Sequence, residues 1–311
     1  MSSEQISAEQ QQRARDPFLL RADYQRQIVE QHLAHLYSTF LLPWKRRQPV
    51  QISNASSPLE GCIVETRPTE HLRNVIANVV MLAPANTQVQ LFTSTSAHTA
   101  MAQLLAPWRD RVRIVSLENG DAMTVELYNR LLCTPAFWQQ FKAPRVLLFQ
   151  ADSLMLRPMR ADDHFEPYGY LGAPWRRDHQ QTYAIPAFNV ERDLIGTTQT
   201  SILFCSGIPV SIRHNYGNGG FSWRCPQLMA EICSRYTRAA GEPEDIFYSR
   251  HLSAHSSVIA DQATVSRFAV ETVFHPDPLG CHNGWAYLSD AEVSYLLHRH
   301  LYTVAGLYQA G

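Results

Sequence analysis

The spacing of hydrophobic positions changes its period near residue 60. Before that point Ile28, Val29, Leu33, Leu36, Tyr37 and Phe40 recur at helical intervals. They follow Asp16-Pro17, where aspartate is suited to cap a helix and proline to occupy its first position. The pattern predicts an amphipathic helix ended by Pro43, after a polar tail over 1–15 and before a linker over 46–58. Packing on the main domain and service to a partner are both open to that helix. From Gly61 onward short apolar runs alternate with helical segments. Strands are predicted at 62–65, 89–92 and 112–117, and helices at 69–82, 97–105 and 122–132, followed by a helical turn at Thr134-Pro135. Alternation of this kind implies parallel strands joined by right-handed crossovers, with a ligand crevice at the strand ends.

The run Val146-Leu147-Leu148-Phe149 is the centre of the pattern, because it reads as a buried strand that stops abruptly at Gln150-Ala151-Asp152. Strand alternation would turn Gln150 and Asp152 to the same side, into the crevice, although Asp152 could equally cap an ordinary turn. Later elements are a strand over 168–175, a helix over 226–240, a proline-fixed helix start over 241–248 and a strand over 268–271. The polar, proline-broken stretch 176–200 reads as a long functional loop.

Composition narrows the classes. The chain has 311 residues, 45% hydrophobic and 18% charged, and its 27 basic and 28 acidic residues leave a net charge of -1. That is an ordinary globular balance with no footprint for nucleic acid or for an anionic membrane. No apolar run approaches the roughly 18 residues of a membrane span, and the N-terminus has no signal-like apolar core, so a cytoplasmic protein is expected. Peripheral membrane contact stays open. Six scattered cysteines suit reduced, buried thiols, and Asn54-Ala55-Ser56 reads as polar linker. No glycine-rich phosphate loop opens a helix, which leaves phosphate charge to a cation or to arginines.

Several short segments carry candidate chemistry. Glu65 could accept from a base or ribose and Arg67 could pair with a phosphate, or the two could form a surface ion pair at a turn. Trp175 ends its strand as a sugar-stacking indole or as a core anchor. The glycines around Asn218, Gly219 and Gly220 permit close backbone approach to a ligand, or a tight hairpin. Of the adjacent Glu244 and Asp245, Glu244 reads as a first-turn capping residue. His282 lies between glycines that free its backbone to reach a site, though lone histidines are more often structural.

Four blocks in order, Gln150-Ala151-Asp152, Gly217-Asn218-Gly219-Gly220-Phe221-Ser222, Pro243-Glu244-Asp245 and Gly280-Cys281-His282-Asn283-Gly284-Trp285, resemble those of the GT-A-fold glycosyltransferases. The resemblance is closest to a bacterial and fungal family described only as a domain of unknown function, and it covers about 61–285. It implies a Rossmann-like, nucleotide-binding mixed α/β sheet flanked by helices, with residues 1–58 as an N-terminal helical extension and 59–311 as the transferase domain. It implies transfer of a hexose from a nucleotide sugar, of the uridine diphosphate type, to a glycan or lipid-linked acceptor in envelope polysaccharide or lipopolysaccharide synthesis. By the same resemblance Asp152 and His282 would hold a divalent cation, manganese rather than magnesium, with Gln150 where the family carries a second aspartate. Asn218, Gly219 and Gly220 would line the donor, Trp175, Phe221 and Trp285 would stack on sugars, and Asp245 would be the base of an inverting displacement. A retaining or metal-independent transferase and a catalytically silent binding module are the alternatives.

Overall fold

The computed structural model describes residues 17–48, 57–118, 123–177, 183–184, 204–205, 208–209, 217–252, 254 and 260–310. The polar tail, the Asn54-Ala55-Ser56 tripeptide, residues 49–56 of the 46–58 linker and most of the 176–200 stretch lie outside the described residues.

Six strands form the main sheet. They are β1 (Leu59–Val64), β2 (Gln88–Ser94), β3 (Val112–Leu117), β4 (Arg145–Phe149), β6 (Tyr170–Ala173) and β7 (Asn218–Arg224), in the order β3-β2-β1-β4-β7-β6. The first four run parallel, while β7 is antiparallel to both β4 and β6. A second sheet joins β5 (Ser153–Met155), β8 (Ala269–Val270) and β9 (Gly280–His282) in the order β8-β9-β5. The fold is therefore a mixed α/β sheet flanked by helices, as the resemblance implies, and the alternation accounts for its four parallel strands. The near-continuous apolar composition of β4 follows from its central place, buried on both faces between β1 and β7.

The amphipathic helix α1 (Pro17–Leu36) forms as predicted, but Pro43 does not end it. A π-helical turn at Tyr37–Leu41 lets the chain run on into α2 (Leu42–Arg47), where Pro43 occupies the first turn and its missing N–H costs no bond. Val29, Leu33, Leu36 and Leu41 are fully buried in the same core as α3 (Glu70–Leu82) and the central strands. At roughly 1.5–3 kcal/mol for each fully buried aliphatic side chain, this helix is an integral wall and not an appendage. Thr69 caps α3 by accepting the Leu72 N–H at 3.2 Å.

The remaining helices are α4 (His98–Leu104), α5 (Val125–Leu132), α6 (Pro135–Trp138), α7 (Pro226–Arg235), α8 (Glu244–Leu252), α9 (Gln262–Phe268), α10 (Gly284–Tyr287) and α11 (Asp290–Ala310). Helix α7 is shorter than predicted, since Tyr236 is already extended. Neither α9 nor α11 is among the predicted elements. Helix α11 begins in a reciprocal cap, with Ser289 N–H donating to Glu292 Oε2 at 2.8 Å and Glu292 N–H to Ser289 Oγ at 3.3 Å. It packs against α1, where Arg21 and Gln25 both donate to Asp290 Oδ1 at 2.8 Å.

Candidate active site

A cleft of about 760 Å³ opens where β1 and β4 end. Glu65, Arg67, Gln150, Asp152, Asn218, Gly219, Gly220, Asp245, His282 and Trp285 all line it. Trp175 and Phe221 do not. Trp175 is 1% exposed, and Phe221 is fully buried with its ring 5.5 Å from that of Phe268. Both are core anchors: Trp175 follows the end of β6, while Phe221 lies in the middle of β7. Trp285 reaches the cleft with only 4% of its surface and otherwise packs in the core.

The first cluster is built by the small sheet. The chain leaves β4 in a turn closed by Ser153 N–H donating to Gln150 O at 3.1 Å, so Gln150 and Asp152 do not share a face through strand alternation. They converge through that turn. Gln150 Oε1 lies 3.2 Å and Asp152 Oδ1 3.3 Å from His282 Nε2. His282 pairs in register with Ser153, and its Nδ1 donates to Glu271 Oε1 at 3.0 Å from the end of the neighbouring strand. Glu271 is 2% exposed, and among the described residues its other oxygen has no hydrogen-bond partner. Burial works against protonation of His282, but Asp152 and Glu271 outweigh it and push the imidazole up to about 10. Burial likewise raises the Asp152 carboxyl, and His282 more than offsets this, holding it below the usual range. A Cβ at Gly220 would stand 2.2 Å from His282 Nε2, so only glycine lets β7 pass this ring.

This donor set fits a divalent cation. Asp152 supplies a carboxylate, Gln150 a carbonyl oxygen and His282 an imidazole whose other nitrogen is held by a buried carboxylate, the usual support for a ligating histidine. Among the described residues there is no group of three or more His, Cys, Asp or Glu side chains placed to hold a metal, and a cation held here would take the Gln150 carbonyl as a third protein donor.

The second cluster sits at the start of α8. Asp245, 8% exposed, accepts the Ile246 N–H at 2.8 Å and the Gly219 N–H at 3.3 Å. Burial, and then the neighbouring Glu244, push its carboxyl up to about 7. Glu244 is not a solvent-facing capping residue. It makes a two-pronged pair with Arg224 at 2.6 and 2.8 Å, and both side chains are buried, Arg224 lying at the end of β7 between Val146 of β4 and Tyr170 of β6. The guanidinium lies among the rings of Tyr170, Tyr248 and Trp138, at 4.8, 5.4 and 5.5 Å from their centroids. Gly217, with φ of 88°, immediately precedes β7, and the glycine-rich segment continues as that strand and not as a hairpin.

At the other rim Glu65 and Arg67 pair with each other, Arg67 Nε and Nη2 donating at 2.9 and 2.8 Å, and the arginine side chain is 78% exposed. Burial raises the Glu65 carboxyl, but the bonds from Arg67 and Thr66 outweigh it and lower it overall. Sequence reasoning missed Tyr128, His71, Arg26 and Glu30 on the cleft wall, and Arg224 and Glu271 behind it. Arg26 and Glu30 carry a readable signal as an i, i+4 pair on α1, bonded at 2.9 Å. The partners of Arg224 and Glu271 lie 20 and 11 residues away, beyond any local pattern.

Residues 111–282 match the family described as protein of unknown function (DUF5672), more than half of the 311-residue chain. The chain belongs to that family. In this DUF5672 member the matched span runs from the residue before β3 through both clusters and ends at His282. No curated protein matches the chain. Among solved structures it is similar to S. aureus TarS 1-349 in complex with UDP-GlcNAc, at 11% identity and a TM-score of 0.37, over 62% of this chain and 53% of that one. It thus spans about half the length of that structure. It is similar also to mouse xyloside xylosyltransferase 1 in its apo form, at 10% identity and a TM-score of 0.40, covering 72% of this chain and 96% of that one. A third is the mannosyltransferase PcManGT from Pyrobaculum calidifontis in complex with GDP-Man and Mn2+, at 12% identity and a TM-score of 0.28, covering 50% of this chain and 47% of that one. Among the described residues no helix is long and apolar enough to cross a membrane.

Proposed function

We propose that this chain is a glycosyltransferase that moves a hexose from a nucleotide sugar to a hydroxyl of a glycan or lipid-linked acceptor, with inversion. The observation that carries the reading is the meeting, in one cleft, of the Asp152–Gln150–His282 donor set with Asp245, joined through the consecutive residues Gly219 and Gly220. A carboxyl that exchanges its proton near neutrality suits a base acting on a sugar hydroxyl. Asp245 would take the hydroxyl proton as the acceptor oxygen bonds to the anomeric carbon. The bond from that carbon to the diphosphate breaks, and its electron pair leaves with the nucleoside diphosphate.

Asp152, Gln150 and His282 would hold a divalent cation, manganese in preference to magnesium because imidazole joins the oxygens. When bound, the cation supplies charge neutralisation for the diphosphate. Glu271 keeps the His282 ring turned so that Nε2 faces the cleft. The chemistry of the cleft supports the sugar transfer itself; the uridine base, the envelope-polysaccharide setting and a cytoplasmic site of action are proposed on the family resemblance alone.

One observation favours a second reading. The donor set contains a single carboxylate facing the cleft beside a histidine flanked by Asp152 and Glu271, so an imidazolium could itself meet the diphosphate in a metal-independent transferase. Incubation with a panel of uridine, guanosine and thymidine diphosphate sugars, with and without manganese, tests both readings. Slow release of nucleoside diphosphate from one donor is expected, faster with manganese. Equal rates with a chelator favour the second reading, and no release from any donor, with no binding, removes both.

A further inference from the structure

The hydrogen bonds behind the cleft have a direction. Glu271 can only accept, so His282 Nδ1 donates to it. His282 Nε2 stands 3.3 Å from Asp152 Oδ1 and 3.2 Å from the Gln150 amide. Whether a proton or a cation occupies the space before that nitrogen, the amide atom facing it must be oxygen, since an N–H there would oppose either. The amide is thereby fixed with Nε2 toward Tyr128, to whose phenolic oxygen it donates at 3.0 Å. The Tyr128 oxygen is therefore used as an acceptor and its own O–H remains to be given. Among the described residues no hydrogen-bond acceptor takes it, and Tyr128 lines the cleft beside Gln150.

We propose that Tyr128 is a ligand-contacting residue, whose O–H donates to a phosphate oxygen of the bound diphosphate. A phosphate oxygen is the acceptor of choice because the phenol is tied through Gln150 to the donor set that would hold the cation, and the diphosphate must lie against that set. The same bond gives Tyr128 a positioning role, since it aims the Gln150 carbonyl at the cation. This inference rests on the nucleotide-sugar reading above.

Tyr128→Phe keeps the ring and removes the O–H. The parent should bind inorganic pyrophosphate and uridine diphosphate by calorimetry, and Tyr128→Phe should weaken both by about 10-fold or more, the scale of a hydrogen bond to a charged acceptor. Binding of uridine alone should not change. A Gln150→Leu background separates direct contact from positioning: the phenylalanine substitution is expected to keep most of its cost there, less the share that comes from aiming Gln150. Unchanged pyrophosphate affinity in Tyr128→Phe overturns the inference, as does a loss that disappears in the Gln150→Leu background, while the nucleotide-sugar reading survives either result. A parent that binds neither pyrophosphate nor any nucleoside diphosphate overturns both together.

Discussion

Two of the Arg–Glu pairs at and behind the cleft differ in every physical respect. Glu65 and Arg67 are two residues apart, and the arginine is 78% exposed. Arg224 and Glu244 are 20 residues apart, with the arginine wholly buried and the glutamate 5% exposed. The first pair is made by a local turn and can be exchanged for water at little cost, so it is free to open toward a ligand. The second has no water to fall back on, and each partner is intolerable without the other. It also fixes the neighbourhood of the base. Arg224 Nη2 donates to Gly219 O at 3.3 Å while Gly219 N–H reaches Asp245, so the ion pair, the glycine strand and the base form one unit. Rigidity is concentrated where proton transfer is proposed, and adaptability at the rim where a nucleotide would enter.

The largest effect should come from the base beside the buried pair. Asp245→Asn is expected to lower kcat by about 10² to 10⁴-fold with little change in donor KM, because a positioned base contributes on that scale and acts in the transition state. The product anomer read by nuclear magnetic resonance checks the assignment independently, since a retained configuration excludes an inverting base. In the parent, activity should rise with pH through about 7 as Asp245 loses its proton. The effect on stability has the opposite sense. Its folded carboxyl titrates above an unfolded one near about 4, so ionisation opposes folding, and its contribution is lost as pH rises from about 4 toward 7. Denaturant midpoints across that range, compared with Asp245→Asn, measure the slope.

Next comes the pair itself. Glu244→Gln removes the charge that compensates the buried guanidinium, and is expected to cost about 3–5 kcal/mol of folding stability, read from urea midpoints. An ordinary first-turn glutamate, which is how Glu244 reads in sequence, would cost well under about 1 kcal/mol. The experiment thus tests whether depth or position in the helix decides its role.

Burial matters in the same way at the donor set. Glu271→Ala should weaken manganese binding by about 10- to 100-fold, the scale of losing the group that orients a ligating histidine. Glu271→Gln should restore most of it, because an amide oxygen can still accept from Nδ1. Titration of the protein with manganese, followed by paramagnetic resonance of the free ion, measures both. Equal affinities in all three proteins would make Glu271 a packing residue.

These contrasts explain what was legible. The strands β1, β2, β3 and β4 and the helix α3 follow from hydrophobic period and local caps, because their neighbours in space are repeats of the same simple unit. Ten proposed site residues gather in one cleft because strand ends and glycines leave local marks. Trp175 and Phe221 fall outside it since an aromatic within or just beyond a strand carries no sign of which side of the sheet it will face. Arg224 and Glu271 were invisible for a different reason: a buried charge is defined by its partner, and the partner is chosen by the tertiary fold. Helix α11 is the exception, because Ser289 and Glu292 spell out its cap and Val293, Leu296, His300 and Val304 its buried face.

The smallest effect should belong to the rim pair. Arg67→Ala removes a side chain that shields Glu65 but supports no buried group, and an exposed ion pair contributes about 0–1 kcal/mol. Folding stability should therefore stay within about 1 kcal/mol of the parent. If Arg67 swings to a phosphate when a nucleotide enters, its loss should raise donor KM by several-fold and leave kcat nearly unchanged, since it would bind ground state and transition state alike. Raising ionic strength should mimic the substitution in the parent and have little further effect on the variant, because the contact is solvent-exposed and screened. A fall in stability comparable to that of Glu244→Gln would erase the difference between the two pairs, and with it the division of the cleft into a rigid floor and an adaptable rim.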